Sequence, residues 1–289
     1  MENLLEVKNL CKSYKDFSLK NVGFALPKGF IMGFIGRNGA GKTTTIRSIL
    51  NMAHIDSGEV KVFGLDSVKE SSMLKQRVGV VFDDIFFAHH LNVRQIESQL
   101  RGFYDDWDSK EFFNLISKFE LPLNKKVGDF SRGMKMKLML STALSHKAEL
   151  LILDEPTSGL DPVARDELLD ILADYISNEN RGILFSTHIT ADLERIADYI
   201  TVLNKGKVWF TGTKDELMEK YIIIKCEEKE LPDEIREKSI GFHSYQNGFE
   251  ALLPAEYLNI LPEEIEHEKA SLDEILVFIS KETKYERNS

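Results

Sequence analysis

A glycine-rich run carries the residues of this chain that are best suited to phosphate chemistry. Residues 36–44 fit the pattern G-x-x-x-x-G-K-[ST] at every constrained position. The glycines allow successive backbone N–H groups to point at phosphate oxygens, and the following helix start adds partial positive charge. Lys42 is predicted to reach the β- and γ-phosphates, and the Thr43 hydroxyl to bind Mg²⁺. The predicted phosphate-binding residues are Gly36, Arg37, Asn38, Gly39, Ala40, Gly41, Lys42, Thr43 and Thr44.

A second candidate is an apolar run, Leu150–Leu153, that ends in Asp154 and Glu155. Nucleotide hydrolysis needs one carboxylate to hold Mg²⁺ and another to position the attacking water. We therefore predict that Asp154 serves the metal and that Glu155 acts as the general base. The alternative is a buried strand capped by a solvated acidic turn.

An α/β scaffold has to bring these motifs together. Fully apolar runs predict interior strands, and alternating apolar and polar residues at 4–10 and 19–26 predict antiparallel strands. Helical spacing of apolar residues predicts a helical insertion at about 85–145. A charge-rich segment, 222–289, predicts a small α+β module. The interior strands are expected at Phe30–Ile35, Val78–Phe82, Leu150–Leu153, Gly182–Ser186 and Ile200–Leu203.

Composition limits the partners and the compartment. The formal net charge of −10 argues against a nucleic-acid-binding surface, so we expect no nucleic-acid partner. No apolar run approaches the roughly 20 residues that span a bilayer. Cys11 and Cys226 lack metal-binding spacing and are expected to be buried, reduced thiols, which is consistent with a cytoplasmic protein.

Over about residues 4–220 the chain resembles the ATPase subunits of ABC transporters. The family's motifs occur in the family's order: the run 36–44, then 130–134 (FSRGM), 150–156 (LLILDEP), 158–161 (SGLD) and 186–188 (STH). The resemblance implies a P-loop NTPase core of ABC ATPase type in residues 1–221, with ATP and Mg²⁺ as cofactors. It also implies a second ATPase subunit, identical or related, and a separate transmembrane permease. The chain is then expected on the cytoplasmic face of the membrane, attached through that permease.

The same resemblance assigns roles to individual residues. Tyr14 resembles the aromatic residue that stacks on adenine, although Phe17 is an alternative and an ordinary strand-end tyrosine is another. Ser131 and Gly133 match the signature motif, which caps the γ-phosphate bound to the opposite subunit. Asp161 matches the loop that crosses the dimer interface. His188 resembles the switch histidine, which contacts the γ-phosphate and the attacking water.

Two of the matched motifs depart from the family pattern. In the signature motif, Arg132 replaces a usual glycine and Met134 a usual glutamine. Asp83 stands where most members have a glutamine near Mg²⁺; it is predicted to be a metal-side residue, and the alternative is a solvated strand end. The residues that follow, 85–87, match the region that contacts the membrane subunit, and filling the helical subdomain's own core is the alternative.

The closest resemblance is to ABC-2-type exporters, including those for antimicrobial and phenol-soluble modulin peptides. It implies that ATP binding and hydrolysis by a dimer of subunits drive export, with peptides as the implied class of cargo. Two other classes are weighed against this one. A non-transport ABC ATPase acting on DNA or in translation would carry a long heptad insertion or a second nucleotide domain. An ATP-binding regulatory partner with little turnover is disfavoured by Glu155 and His188.

Overall fold

The computed structural model describes residues 2–83, 85–227, 230–245 and 248–280. An antiparallel sheet lies at the start of the chain. Its strands are β1 (Asn3–Ser13), β2 (Ser18–Pro27), β4 (Ser57–Val62) and β5 (Leu65–Asp66), in the order β2-β1-β4-β5. Alternate residues of β1, among them Leu5 and Val7, are buried in one hydrophobic core. The predicted antiparallel strands are therefore present, each with one face toward the core.

A six-stranded sheet forms the centre of the described structure. Its strands are β3 (Ile31–Ile35), β6 (Val78–Val81), β7 (Leu150–Asp154), β8 (Gly182–Thr187), β9 (Tyr199–Asn204) and β10 (Lys207–Thr213). The order is β10-β9-β3-β8-β7-β6, and every neighbouring pair is parallel except β10 with β9. All residues of β3, β7 and β8 are buried, as expected for parallel strands covered on both faces. The predicted α/β class is confirmed.

Helices flank this sheet, and several begin at side chains that cap them. The helices up to residue 220 are α1 (Lys42–Ile49), α2 (Ser71–Arg77), α3 (Val93–Leu100), α4 (Ser109–Lys118), α5 (Arg132–Ser145), α6 (Pro162–Ile176), α7 (Thr190–Ile196) and α8 (Lys214–Lys220). Asn92 forms a capping box with Gln95 at the start of α3. Helices α3, α4 and α5 fall within the predicted helical insertion, and their buried faces include Ile96, Phe112 and Leu138.

A third sheet lies at the end of the chain. It contains β11 (Tyr221–Cys226), β12 (Ile240–Tyr245), β13 (Gly248–Pro254) and β14 (Glu266–Lys269), in the antiparallel order β12-β13-β11-β14. Helices α9 (Asp233–Lys238) and α10 (Leu272–Ser280) accompany it. This is the predicted α+β composition. Residues 281–289 of the predicted module lie outside the described residues.

Packing continues from the nucleotide-binding part of the chain into this third sheet. Ile222 and Ile224 of β11 face a local core, whereas Ile223 belongs to the large cluster of the central part. Leu272 and Ile275 of α10 belong to that same large cluster, together with residues of α7 and β9. The Asn204 side chain at the end of β9 also donates a hydrogen bond to the Ile279 carbonyl, with 3.3 Å between the atoms. A division near residue 221 stays a prediction.

Two further expectations concern thiols and membranes. Cys11 and Cys226 were expected to be buried, but both are free thiols that are only half-buried. Cys11 Sγ accepts a hydrogen bond from the Asn21 backbone at 3.3 Å, because β1 and β2 leave it at the sheet surface. Across the described ranges, none of the helices has both the length and the apolar character that a bilayer crossing requires.

Candidate functional site

The site forms where the carboxyl ends of β3, β7 and β8 meet. Ile35 pairs with Thr187, and Asp154 pairs with Ser186, so the segments that follow these strands emerge side by side. The glycine-rich loop follows β3, Glu155 follows β7, and His188 follows β8. Because ligands of open parallel sheets bind at this edge, the topology brings the principal predicted motifs together.

Two glycines of the loop are required by close backbone approaches. A Cβ atom on Gly36 would lie 2.4 Å from the Leu203 carbonyl oxygen. Gly41 has a φ of +113°, and a Cβ atom there would lie 2.6 Å from Leu19 Cδ2. A larger side chain at either position would therefore displace the loop that presents its N–H groups to a phosphate.

Lys42 lies inside the curve of the loop. Its buried ammonium donates a hydrogen bond to the Gly36 carbonyl at 2.7 Å and lies 3.2 Å from Glu155 Oε1. The charge of the lysine is thus compensated by the carboxylate that follows β7, two strands away from β3 in the sheet. The arrangement leaves the ammonium at the position where phosphates are expected.

Asp154 is an oxygen ligand of the kind that Mg²⁺ prefers. It is only 3% exposed, and it accepts hydrogen bonds from Thr43 Oγ1 at 2.8 Å and from Ser186 Oγ at 3.0 Å. Burial raises the pKa of Asp154, while the two hydroxyl bonds oppose that rise. A buried carboxylate beside a hydroxyl is suited to bind a hard divalent cation that also coordinates nucleotide phosphates. Ser186 lies in the 186–188 motif, but the sequence does not predict its hydrogen bond to Asp154.

Glu155 and His188 form a direct contact. Glu155 Oε2 lies 2.7 Å from His188 Nδ1 and accepts the His188 backbone N–H at 3.2 Å. Glu155 has a φ of +54°, unusual for a residue with a side chain, and its backbone N–H donates to the Ser186 carbonyl. The left-handed conformation and these bonds fix the carboxylate at the mouth of the loop.

The residues expected at a dimer interface lie on helix starts. Ser131 caps α5 by accepting the Met134 N–H, and Asp161 caps α6 by accepting the N–H groups of Val163 and Ala164. These backbone donors, Ala164 first, lower the pKa of the exposed Asp161. A Cβ on Gly133 would lie 3.5 Å from Leu160 Cδ2, so the two motifs are neighbours. Within one chain their bonds are to their own helices rather than to the glycine-rich loop.

The two candidate adenine-stacking residues differ in exposure. Tyr14 is 52% exposed, and its backbone N–H donates to the Phe17 carbonyl at 2.7 Å. Phe17 is half-buried, and its ring packs beside Gly41 of the loop. Tyr14 is thus the more exposed ring, with the Lys12 ammonium 5.3 Å from its centroid, and Phe17 supports the loop from the side.

In the segment around Asp83, some side chains are exposed and others pack into the core. The Asp83 carboxylate is ion-paired with the Arg132 guanidinium. Ile85 is buried and Phe87 packs against the large core, whereas Phe86 is 62% exposed. Asp84 lies outside the described residues. Core filling thus applies to Ile85 and Phe87, and Phe86 is the side chain available for docking.

A pocket of about 460 Å³ opens beside the loop. Its lining includes three residues that sequence reasoning did not anticipate: Asn204, Lys205 and Ser280. They arrive from the end of β9 and from α10, elements without a nucleotide-binding motif. The other lining residues are Arg37, Asn38, Gly39, Ala40 and His188.

Comparisons with known proteins agree with this site. The family model described as ABC transporter matches residues 19–158. The chain is 30% identical to the bacitracin transport ATP-binding protein BcrA of Bacillus licheniformis, over 85% of this chain and 82% of that protein. It is 35% identical to the BcrA of Enterococcus faecalis, over 71% of this chain and 68% of that protein.

Structural similarity points the same way. A solved structure described as the ATP-binding subunit of an ABC transporter is 31% identical, with a TM-score of 0.68 over 74% of this chain and 91% of that one. The chain belongs to the ATP-binding subunits of ABC transporters, and like its homologues it is an ATPase. Among its relatives are the two bacitracin transport proteins, so the expected likeness to antimicrobial peptide exporters is confirmed.

Proposed function

We propose that this chain drives an exporter by hydrolysing ATP–Mg²⁺, with Glu155 as the general base. The observation that carries the proposal is the contact set of Glu155 at the edge of the phosphate loop. One carboxylate oxygen faces Lys42 and the other is held by His188. A base at a hydrolytic site needs this kind of fixed orientation toward the attacking water.

The residues of the site divide the work of hydrolysis. Thr43 and Asp154 would hold Mg²⁺, which neutralises charge on the phosphates when bound. Lys42 exchanges its bond to Glu155 for the β- and γ-phosphates, which frees that carboxylate for water. His188 donates from Nδ1 to the ionised carboxylate, a tautomer assigned from the contact. In that neutral tautomer Nε2 carries a lone pair, so it would accept a hydrogen bond from the attacking water.

We further propose that two ATP-binding subunits close around two ATP molecules. Ser131 is exposed and Gly133 is half-buried at the start of α5, where the Ser131 hydroxyl caps its own helix. A hydroxyl and N–H groups at a helix start bind an anion well, so they would complete the partner's site. ATP then acts as a ligand that stabilises the closed dimer.

Light scattering of the Glu155→Gln variant tests this closure, since ATP binds but is not hydrolysed. ATP should produce dimers, and adding Ser131→Arg should abolish them because a bulky cation enters the phosphate pocket. Ser117→Arg, an exposed change on α4, is the matched control and should dimerise normally. Dimers that survive Ser131→Arg would refute the assignment of the signature motif. Absence of dimers in every variant points to a related, heteromeric partner.

We propose that the chain lies at the cytoplasmic face of the membrane, where a separate transmembrane permease receives the closing motion of the dimer. The support is the exposed Phe86 beside Asp83, and the names of the bacitracin transport relatives favour a peptide cargo. Phe86→Glu should reduce co-purification with the permease. Val68→Glu, at another exposed apolar side chain, should not. Equal recovery of both variants would contradict this docking surface.

A further inference from the structure

Two of the three motif positions that depart from the family pattern, Asp83 and Arg132, contact each other. Asp83 replaces a usual glutamine, and Arg132 replaces a usual glycine. In the structure the Arg132 guanidinium Nη2 donates to Asp83 Oδ1, although 49 positions separate the two residues in sequence. The departures therefore form one structural feature rather than two unrelated substitutions.

The pair joins the segment that follows β6 to the first turn of α5. Asp83 follows β6, the edge strand of the central sheet, and Arg132 is the first residue of α5. Ser131, directly before it, is the N-cap of that helix. Farther along α5, a Cβ on Gly79 of β6 would lie 2.9 Å from Ala143 Cβ. The pair thus fixes to the sheet the end of the helix that carries the signature residues.

Arg132 also contacts the loop expected to cross the dimer interface. Gly159 in this loop has a φ of +70°, and a Cβ there would lie 3.1 Å from both Cδ and Nη1 of Arg132. The glycine leaves room for the arginine side chain. Arg132 therefore links the segment after β6 with the 158–161 loop.

The position of Arg132 at the start of a helix favours a nearby anion. A helix start carries partial positive charge, so a cation in the first turn is unfavourable there. The first turn of α5, residues 132–135, contains no acidic residue, and Asp83 supplies the carboxylate. The two side chains are 43% and 57% exposed, so their contribution to overall stability is small. Their effect is expected in the orientation of the first turn.

We propose that Asp83 and Arg132 act as one positioning pair, which holds Ser131 and the first turn of α5 in the orientation that meets the partner's nucleotide. The inference rests on the dimer proposed above. Neither residue is catalytic, because both act through the signature segment. As a member of this pair, Asp83 has a role that depends on Arg132. A role of Asp83 beside Mg²⁺ alone would not depend on Arg132.

A double-mutant cycle in the Glu155→Gln background tests the pair. Asp83→Asn or Arg132→Gln should each weaken ATP-driven dimerisation. The fraction of subunits whose first turn of α5 has the competent orientation should fall by up to about fivefold. The double variant should be no weaker than either single one, because both remove the same contact. The charge swap Asp83→Arg with Arg132→Asp should restore most of the loss. Lys135→Gln, the same charge change one turn along α5, is the control.

Hydrogen exchange without ATP provides a readout that does not need a dimer. Exchange of the Met134 and Lys135 amides, which bond to Ser131, should accelerate in both single variants and stay normal in Lys135→Gln. This pattern with no ATP-dependent dimer would support the pair and count against a dimer of two identical subunits. Unchanged exchange would overturn the pair. Additive losses in the cycle, or an Arg132→Gln variant that behaves like the control, would also overturn it.

Discussion

Replacing Asp154 with asparagine separates two effects of this buried carboxylate: its effect on the stability of the nucleotide-free protein and its effect on the binding of ATP–Mg²⁺. Burial raises its pKa above the ordinary value of 3.8, so the ionised form weakens the nucleotide-free fold at neutral pH. The wild type keeps full stability below pH 3.8 and loses this contribution as the pH rises through the raised pKa. Asparagine removes that loss but can weaken one hydroxyl bond, which costs about 0.5–1.5 kcal/mol. The nucleotide-free variant should therefore melt within about 3 °C of the wild type, or above it, at pH 7.5.

The same substitution should reduce stabilisation by the ligand. At 100 times its dissociation constant, ATP–Mg²⁺ stabilises a protein by about 2.7 kcal/mol, and a tenfold weaker ligand leaves about 1.4 kcal/mol. At roughly 2–4 °C per kcal/mol, the wild-type Tm should rise by about 5–10 °C and that of the variant by about half as much.

Differential scanning fluorimetry with and without ATP–Mg²⁺, at pH 7.5 and 5, measures both effects of Asp154→Asn. Asp170→Asn, an exposed carboxylate change on α6, is the control. A metal-binding role for Asp154 is refuted if Asp154→Asn lowers the free energy of unfolding by more than about 3 kcal/mol without nucleotide and keeps the full ligand shift. Asp154 would then be a structural residue. The advantage of asparagine should also shrink at pH 5 relative to pH 7.5.

Three further outcomes follow from individual contacts. Gly41→Ala should abolish ATP binding in equilibrium dialysis while the chain stays folded, because a Cβ would meet Leu19 at 2.6 Å and strain the loop. Tyr14→Ala should weaken ATP more than Phe17→Leu does if Tyr14 stacks on adenine; equal affinities would exclude that role. Ile275→Ala should cost about 2–5 kcal/mol and keep a single unfolding transition, because its side chain belongs to the central core. Two separate calorimetric transitions would contradict that continuity.

Local motifs made much of the site predictable. The loop at 36–44 and the acidic end of β7 depend on neighbours within a few residues, so their positions follow from strand–loop–helix patterns. Parallel strand order then places them at one sheet edge. The sequence predicts that Glu155 and His188 lie at the same nucleotide site. The geometry of their contact depends on the left-handed backbone of Glu155, which the sequence does not predict.

Contacts between distant segments were not predictable in the same way. Asp83 and Arg132 lie on different elements, and neither residue alone indicates its partner. The apolar spacing of α10 predicted a buried helical face but could not show that the face packs into the central core. Exposure within residues 85–87 alternates for a similar reason, because the direction of each side chain depends on how the chain leaves β6.

The most direct test of the account is ATP hydrolysis by Glu155→Gln, measured with excess Mg²⁺ and purified protein free of contaminating ATPases. Loss of the base should lower turnover by about 10²–10⁴-fold, while ATP affinity stays within about threefold because the phosphate loop is intact. Glu167→Gln, an exposed carboxylate paired with Lys137, should hydrolyse ATP at the wild-type rate. Equal hydrolysis by Glu155→Gln and the wild type would contradict the assignment of Glu155 as the general base.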